Sequence, residues 1–215
     1  MIPVLYEDEA CIVFNKPPGL LVIPTDKNED RTLVRMVNDE HRQGPQLYPA
    51  HRLDRDTSGV ILFVKSKELQ QKIMESFKAK QVHKAYVAFV HGRIQPQEGK
   101  IRIPIKDYFQ RKFQRQMPAQ SALTLYRVRD YYTNFSVLDV TPVTGRTNQI
   151  RIHMAKVGHP IVGEDKYAFR KDFELRFRRT ALHAAKLEWP HPVTGKMIRA
   201  EAQLPDDMDK FLQTH

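Results

Sequence analysis

The sequence predicts an α+β fold. Strand-like segments outnumber helical ones and do not alternate with them regularly, which argues against a doubly wound α/β sheet. The 215 residues, 41% of them hydrophobic, suffice for one large domain or two closely joined lobes around a sizeable core. No repeat, low-complexity tract or Gly/Ser linker marks a domain boundary.

Taken in order, "PVLYEDEACIVFNKPPG" predicts two short strands around an Asp8-Glu9 turn, halted by Pro17, Pro18 and Gly19. Asp30 is placed to cap a helix in which Leu33, Val34, Met36 and Val37 recur at helical spacing. "VILFV", Val60 to Val64, is a β-branched apolar run and predicts a buried strand. Ser66 can then start a helix with Leu69, Ile73 and Phe77 on one face. "KAYVAFV" alternates, so Lys84, Tyr86 and Ala88 share one face of a strand and Ala85, Val87 and Phe89 the other.

Farther on, "SALTLYRVRD" and "FSVLDVTP" predict a hairpin around "YYTN". The loop "VTGRT" leads into a short helix near "NQIRIHMAKVG", with Arg151 and Met154 on one face and Gly158 able to end it. "ALHAAKLEW" and "MIRAEAQ" predict strands around the turn "HPVTGK", and "PDDMDKFLQ" predicts a terminal helix.

Charge is the strongest global signal. A formal net charge of +10 and a pI near 9.7 suit a polyanionic partner. The cations gather in "FQRKFQRQ", with Arg111, Lys112 and Arg115, and in "FRKDFELRFRR", with Arg170, Lys171, Arg176, Arg178 and Arg179. Each cluster alone is equally a solvated basic face; two of them on so basic a chain, interleaved with phenylalanine, favour nucleic acid.

No run of about 18 apolar residues occurs and "MIPVLYEDEA" lacks the plan of a signal peptide, so no membrane association is expected and a cytoplasmic location is. The single cysteine, Cys11, lies in the apolar run "ACIVF" and reads as a small buried hydrophobe. GxxxxGK[ST], GxGxxG, HExxH and GxSxG are all missing from the sequence. His51, His153 and His183 lack metal-ligand spacing, and ordinary hydrogen-bonding roles are expected for them.

What stands out is "HRLDRDTSG", His51 to Gly59, where Asp54 and Asp56 alternate with Arg52 and Arg55 ahead of an apolar strand. Carboxylates set among cations suggest a site at which one must stay ionised beside something anionic. "HRLDRDTSG", together with "NKPPGLLV", "KAYVAFVHG", "TGRTNQIRIHMAKVGHPIVGEDKY" and "RTALHAAKLEWPHPVTG", resembles in that order the RluA family of RNA pseudouridine synthases, over roughly residues 10 to 200. The layout is that of its short members, in which no S4-type RNA-binding domain precedes "NKPPG".

The resemblance implies a pseudouridine synthase fold: a mixed, largely antiparallel sheet in two lobes with flanking helices and a central basic cleft, forming a single catalytic domain over 1–215. It implies isomerisation of uridine to pseudouridine in RNA, with no cofactor and no metal, by a protein expected to act as a monomer. The aspartate of the HRLD motif is Asp54, the tyrosine of KxYxA is Tyr86, and the arginine of the QIR segment is Arg151. Arg52, His51, Leu182 and Arg146 are expected on the substrate side, along with Arg111, Lys112 and Arg115. Lys16 and Gly19 are expected to shape the cleft rim. One departure is Asn148, where the family more often has histidine.

The chemistry explains the residue types. The N1–C1′ bond breaks and a C5–C1′ bond forms, so an oxygen nucleophile or base is needed beside the sugar, and a carboxylate at Asp54 supplies it. Attack at C1′, attack at C6 and proton abstraction at C2′ are all open to it. Closure under a base in an apolar cleft would lift an aspartate from about 3.9 by as much as 3–5 pH units, and a facing arginine lowers it by about 1–3, the part expected of Arg151. Flipping the uridine out costs a few kcal/mol, and stacking on Tyr86 returns about 1–3 kcal/mol. Two other classes remain: a catalytically silent RNA-binding or ribosome-assembly protein, and a metal-dependent nuclease built on Asp54, Asp56 and a histidine. The expected target is a stem-loop of ribosomal RNA, transfer RNA or both.

Overall fold

A computed structural model describes residues 1–25, 29–106, 118–168 and 174–215. The basic residues Arg111, Lys112 and Arg115, and Arg170 and Lys171 of the second cluster, lie outside them. Among the described residues are ten strands and four helices, and the fold is α+β with mostly antiparallel strand pairing. The chain divides into two compact units, Met1–Lys84 with Leu182–Thr214, and Ala85–Ala181 with His215.

In the first unit, β1 (Val4–Glu7) pairs antiparallel with β2 (Cys11–Lys16). The latter pairs antiparallel with β4 (Ser58–Val64), which runs parallel to β9 (Leu182–Pro190), itself antiparallel to β10 (Met197–Glu201). The short β3 (Tyr48–Pro49) also lies on β4. Every residue of β4 is buried, which is why its sequence reads as a continuous apolar run rather than an alternating one. Cys11 is fully buried in this core beside Leu62, Val64, Ile73 and Trp189.

Helix α1 (Leu33–Glu40) is capped at Thr32 and not at the expected Asp30, whose carboxylate pairs with Arg35. Thr32 gives no side-chain cap bond. The amides of Leu33 and Val34 instead donate to the carbonyls of Leu21 and Val22, at 2.7 and 3.0 Å, so backbone supplies what a cap side chain would. Helix α2 (Lys67–Lys78) starts as expected, with Ser66 Oγ accepting from the Leu69 amide. Helix α4 (Asp206–Thr214) closes the unit.

The second unit holds β5 (His83–His91) from Ala85 onward, antiparallel to β8 (Phe135–Pro142), which pairs with β7 (Thr124–Tyr131), which pairs with β6 (Glu98–Ile101). Helix α3 (Gln149–Lys156) follows β8 and ends before Gly158, whose φ of +85° supplies the left-handed stop. The strands β3 and β6 went unpredicted: each is short, and "EGKI" carries no apolar alternation to reveal it. No helix among the described residues is long and apolar enough to cross a membrane.

Candidate active site

In the first unit, His51 to Thr57 form the loop between β3 and β4, and it is held from three sides. The His51 ring packs at 5.4 Å against Phe77 of α2. Its Nε2 accepts from the Leu62 amide at 3.1 Å, which puts the ring proton on Nδ1. Burial, with the Lys84 charge as a second cause, pushes its pKa down to about 3, so His51 is neutral at working pH. The ring is thus fixed by contacts to β4 and α2 of its own unit.

Lys16, expected at a rim, is fully buried at the end of β2. Its Nζ donates to the carbonyls of Pro17, Leu20 and Arg55, at 2.9, 2.8 and 2.9 Å. An ammonium has three donors, and all three are met by backbone, so the lysine fastens the "NKPPG" turn to the residue after Asp54. Arg55 answers with its Nε on the Gly19 carbonyl at 3.3 Å, a contact outside the motif.

The third hold comes from β9. Ser58 Oγ lies 2.9 Å from His183 Nδ1, both buried, while His183 Nε2 faces the Ala202 carbonyl at 3.2 Å. The carbonyl requires a donor at Nε2, so Nδ1 accepts and the serine donates. Ser58 therefore ties the loop to β9 across 125 residues of sequence. Next to it, a Cβ on Gly59 would sit 2.1 Å from the Ala184 carbonyl oxygen, and φ there is +110°, so only glycine admits this approach of β4 to β9. Leu182 is buried at the start of β9. Within this frame Asp54 is half-buried, its carbonyl accepting from the Thr57 amide at 3.2 Å, and Arg52 is exposed.

In the second unit, Tyr86 is half-buried on β5, opposite Val140 of β8. Arg151 projects from α3. Its Nε and Nη2 donate to Glu164 at 2.7 and 2.8 Å, a two-pronged pair with a carboxylate whose side chain has no solvent exposure. Burial raises the pKa of Glu164, but the Arg151 hydrogen bonds and charge and the amides of Lys166 and Tyr167 outweigh it and hold the group below the usual range. The arginine keeps Nη1 for the Asn148 side chain at 3.3 Å.

Asn148 precedes α3 with φ +54°, a left-handed conformation that asparagine tolerates. Its Nδ2 donates to the Tyr167 hydroxyl at 2.7 Å. The unusual residue thus keeps a two-sided hydrogen-bonding role without a titratable group. Behind it, the buried Gln149 side chain accepts from Thr144 Oγ1 and the Arg146 amide and donates to Leu123 and Thr124 of the β7 side. Arg146 is itself half-buried, with Nε on the Ser121 carbonyl at 3.3 Å. Of the second basic cluster, Arg179 is buried, with Nη1 donating to the Thr180 carbonyl at 3.0 Å.

Sequence reasoning singled out neither Glu164 nor Gln149, although both stand inside quoted motifs. A buried acid beside an arginine-bearing helix leaves no local pattern.

Asp8, Cys11 and His191 are the metal-capable group among the described residues. Their chemistry does not fit a cation. Asp8 Oδ1 already accepts from the amides of Ala10 and Cys11, and its Oδ2 from the Tyr6 hydroxyl. His191 Nδ1 accepts from the amides of Val193 and Thr194, so Nε2, 3.0 Å from Asp8, carries the proton a metal would have to displace. Burial pushes the Cys11 thiol up to about 12, leaving no thiolate.

The profile described as RNA pseudouridylate synthase matches residues 10–156. The chain is 36% identical to ribosomal large subunit pseudouridine synthase D of Xanthomonas campestris, over 97% of its own length and 68% of the relative's. It is 36% identical to tRNA pseudouridine synthase C of Vibrio vulnificus, over 94% of its length and 91% of the relative's. The solved structure of human RNA pseudouridylate synthase domain containing 4 shares its fold at a TM-score of 0.79 and 24% identity, covering 98% of this chain and 91% of that one. The chain belongs to the RNA pseudouridylate synthase family.

Proposed function

We propose that the protein isomerises uridine to pseudouridine in structured ribosomal or transfer RNA, with Asp54 as the reacting carboxylate. The observation that carries this reading is the family match across residues 10–156, a span containing Asp54, Tyr86 and Arg151. The two relatives differ in the RNA their names give, large ribosomal subunit and tRNA, and both classes are therefore proposed targets.

Each role is supported by what its own unit provides. For Asp54, three fixed contacts on the surrounding loop, from Lys16, His51 and Ser58, match the need for a carboxylate at a set position beside the sugar. Arg52, exposed beside it, suits a phosphate or the space left by a flipped base. Tyr86 on a strand offers a rigid ring for stacking, and its hydroxyl can help remove the C5 proton after rebonding. Arg151, its fork fixed by Glu164, is suited to stabilising a negative charge. Leu182 contributes apolar surface.

The test is digestion of treated RNA to nucleosides with chromatographic quantification of pseudouridine, alongside electrophoresis of the intact RNA. Pseudouridine in RNA of unchanged length is expected. Shortened RNA would favour a nuclease, and tight binding with neither change would favour a silent binding protein.

A further inference from the structure

We propose that Glu164 is a positioning residue for the reaction, acting through Arg151 to fix where its guanidinium points; this rests on the pseudouridine synthase reading. Three sides of the guanidinium are defined. Glu164 takes Nε and Nη2, Asn148 takes Nη1, and the Tyr167 ring lies 5.3 Å from the central carbon. Asp165, 3.9 Å away and exposed, adds only a screened attraction.

The clamp itself cannot drift. Glu164 Oε1 also accepts the amides of Lys166 and Tyr167, at 2.9 and 3.2 Å. The turn that carries it begins at Gly163, where a Cβ would lie 1.9 Å from the Arg179 carbonyl oxygen and φ is +82°. Tyr167 in turn is tied to Asn148 through its hydroxyl. Carboxylate, amide and ring are therefore set by one short turn and one helix start.

A buried ion pair is weak as a device for stability, because apolar side chains of equal volume serve as well or better. Its presence at the arginine read as the counter-charge argues for direction instead. A fixed fork presents a developing or resident negative charge with donors at one place, where a free arginine would sample many rotamers.

The experiment compares tritium release from RNA made with 5-tritiated uridine by wild type, Glu164→Gln, Glu164→Asp, Arg151→Lys and the Glu164→Gln/Arg151→Lys double variant, with thermal melts and RNA binding measured on each. Glu164→Gln and Glu164→Asp are expected to lower kcat about tenfold or more, with KM and RNA affinity changed less than about twofold. The double variant is expected to be no slower than the slower single one, as residues acting as a unit behave. Full kcat per folded molecule in either Glu164 variant, or losses that multiply, would overturn the proposal and leave Glu164 a staple of the fold. If Glu164→Gln does not fold, Glu164→Asp, which keeps the charge but shortens its reach, decides. An inactive wild type would instead defeat the synthase reading.

Discussion

Lys16 Nζ donates to the Arg55 carbonyl at 2.9 Å across 39 residues of sequence, joining the two loops most closely associated with Asp54 by one buried cation. Replacement by methionine keeps the stem's volume but leaves the carbonyls of Pro17, Leu20 and Arg55 without their donor. Each orphaned buried group costs about 1–3 kcal/mol, so Lys16→Met is expected to lose at least that much in urea unfolding. A falling kcat should accompany it, with RNA affinity changed less, because what loosens first is the loop that sets Asp54.

The Ser58–His183 contact predicts a matched pair of effects. Ser58→Ala leaves a buried histidine nitrogen unsatisfied and should cost about 1–3 kcal/mol in the same assay. Ser58→Ala combined with His183→Ala should cost less than the two single losses together. Gly59→Ala should be worse than either, above about 4 kcal/mol, since its Cβ has no room before the Ala184 carbonyl. A mild Gly59→Ala would contradict the close approach of β4 and β9.

Much of this was legible in the chain. The continuous apolar run of β4, the alternation of β5, the serine that starts α2 and the Gly158 stop are local signals with local causes, and they place Asp54, Tyr86 and Arg151 on a loop, a strand and a helix. The supports of those residues were not legible. Lys16 finds Arg55, Ser58 finds His183, and Arg151 finds Glu164, over separations of 39, 125 and 13 residues. Such partners are chosen by tertiary packing, which a single sequence does not encode as spacing. The Asp30 cap failed for the same reason: carbonyls from residues 21 and 22 arrived first.

Three histidines predict how stability responds to acid. Burial, then Lys84, pushes His51 down to about 3; burial, then Arg176, pushes His91 down to about 4; burial lowers His153 as well. Unfolded histidine titrates near about 6.5. Below that pH the unfolded chain binds protons that the folded one refuses, so stability should fall as pH drops from about 6.5 toward 4, with little change between 7 and 8. Glu164, whose pKa is lowered, adds its own loss only at more acidic pH, below the ordinary glutamate value. Thermal melts from pH 8 to 5 should show this bend, and His51→Asn should soften it. A melting temperature flat from pH 7 to 5 would contradict the neutral assignments.

Salt should weaken RNA binding steeply in a chain of net charge +10. If Arg111, Lys112 and Arg115 contact phosphates, neutralising all three should reduce the slope of log affinity against log salt by roughly 2–3, measured by fluorescence anisotropy. An unchanged slope would make that segment an ordinary solvated face.

Asp54 is the proposed reacting carboxylate of the isomerisation. Tritium release from RNA containing 5-tritiated uridine reads it directly, because C5 gives up its hydrogen when it becomes the glycosidic carbon. With chelator present, wild type is expected to release tritium, and Asp54→Asn, folded by its melt and still binding RNA, is expected to release none. Release by Asp54→Asn at a rate near that of wild type would contradict the assignment.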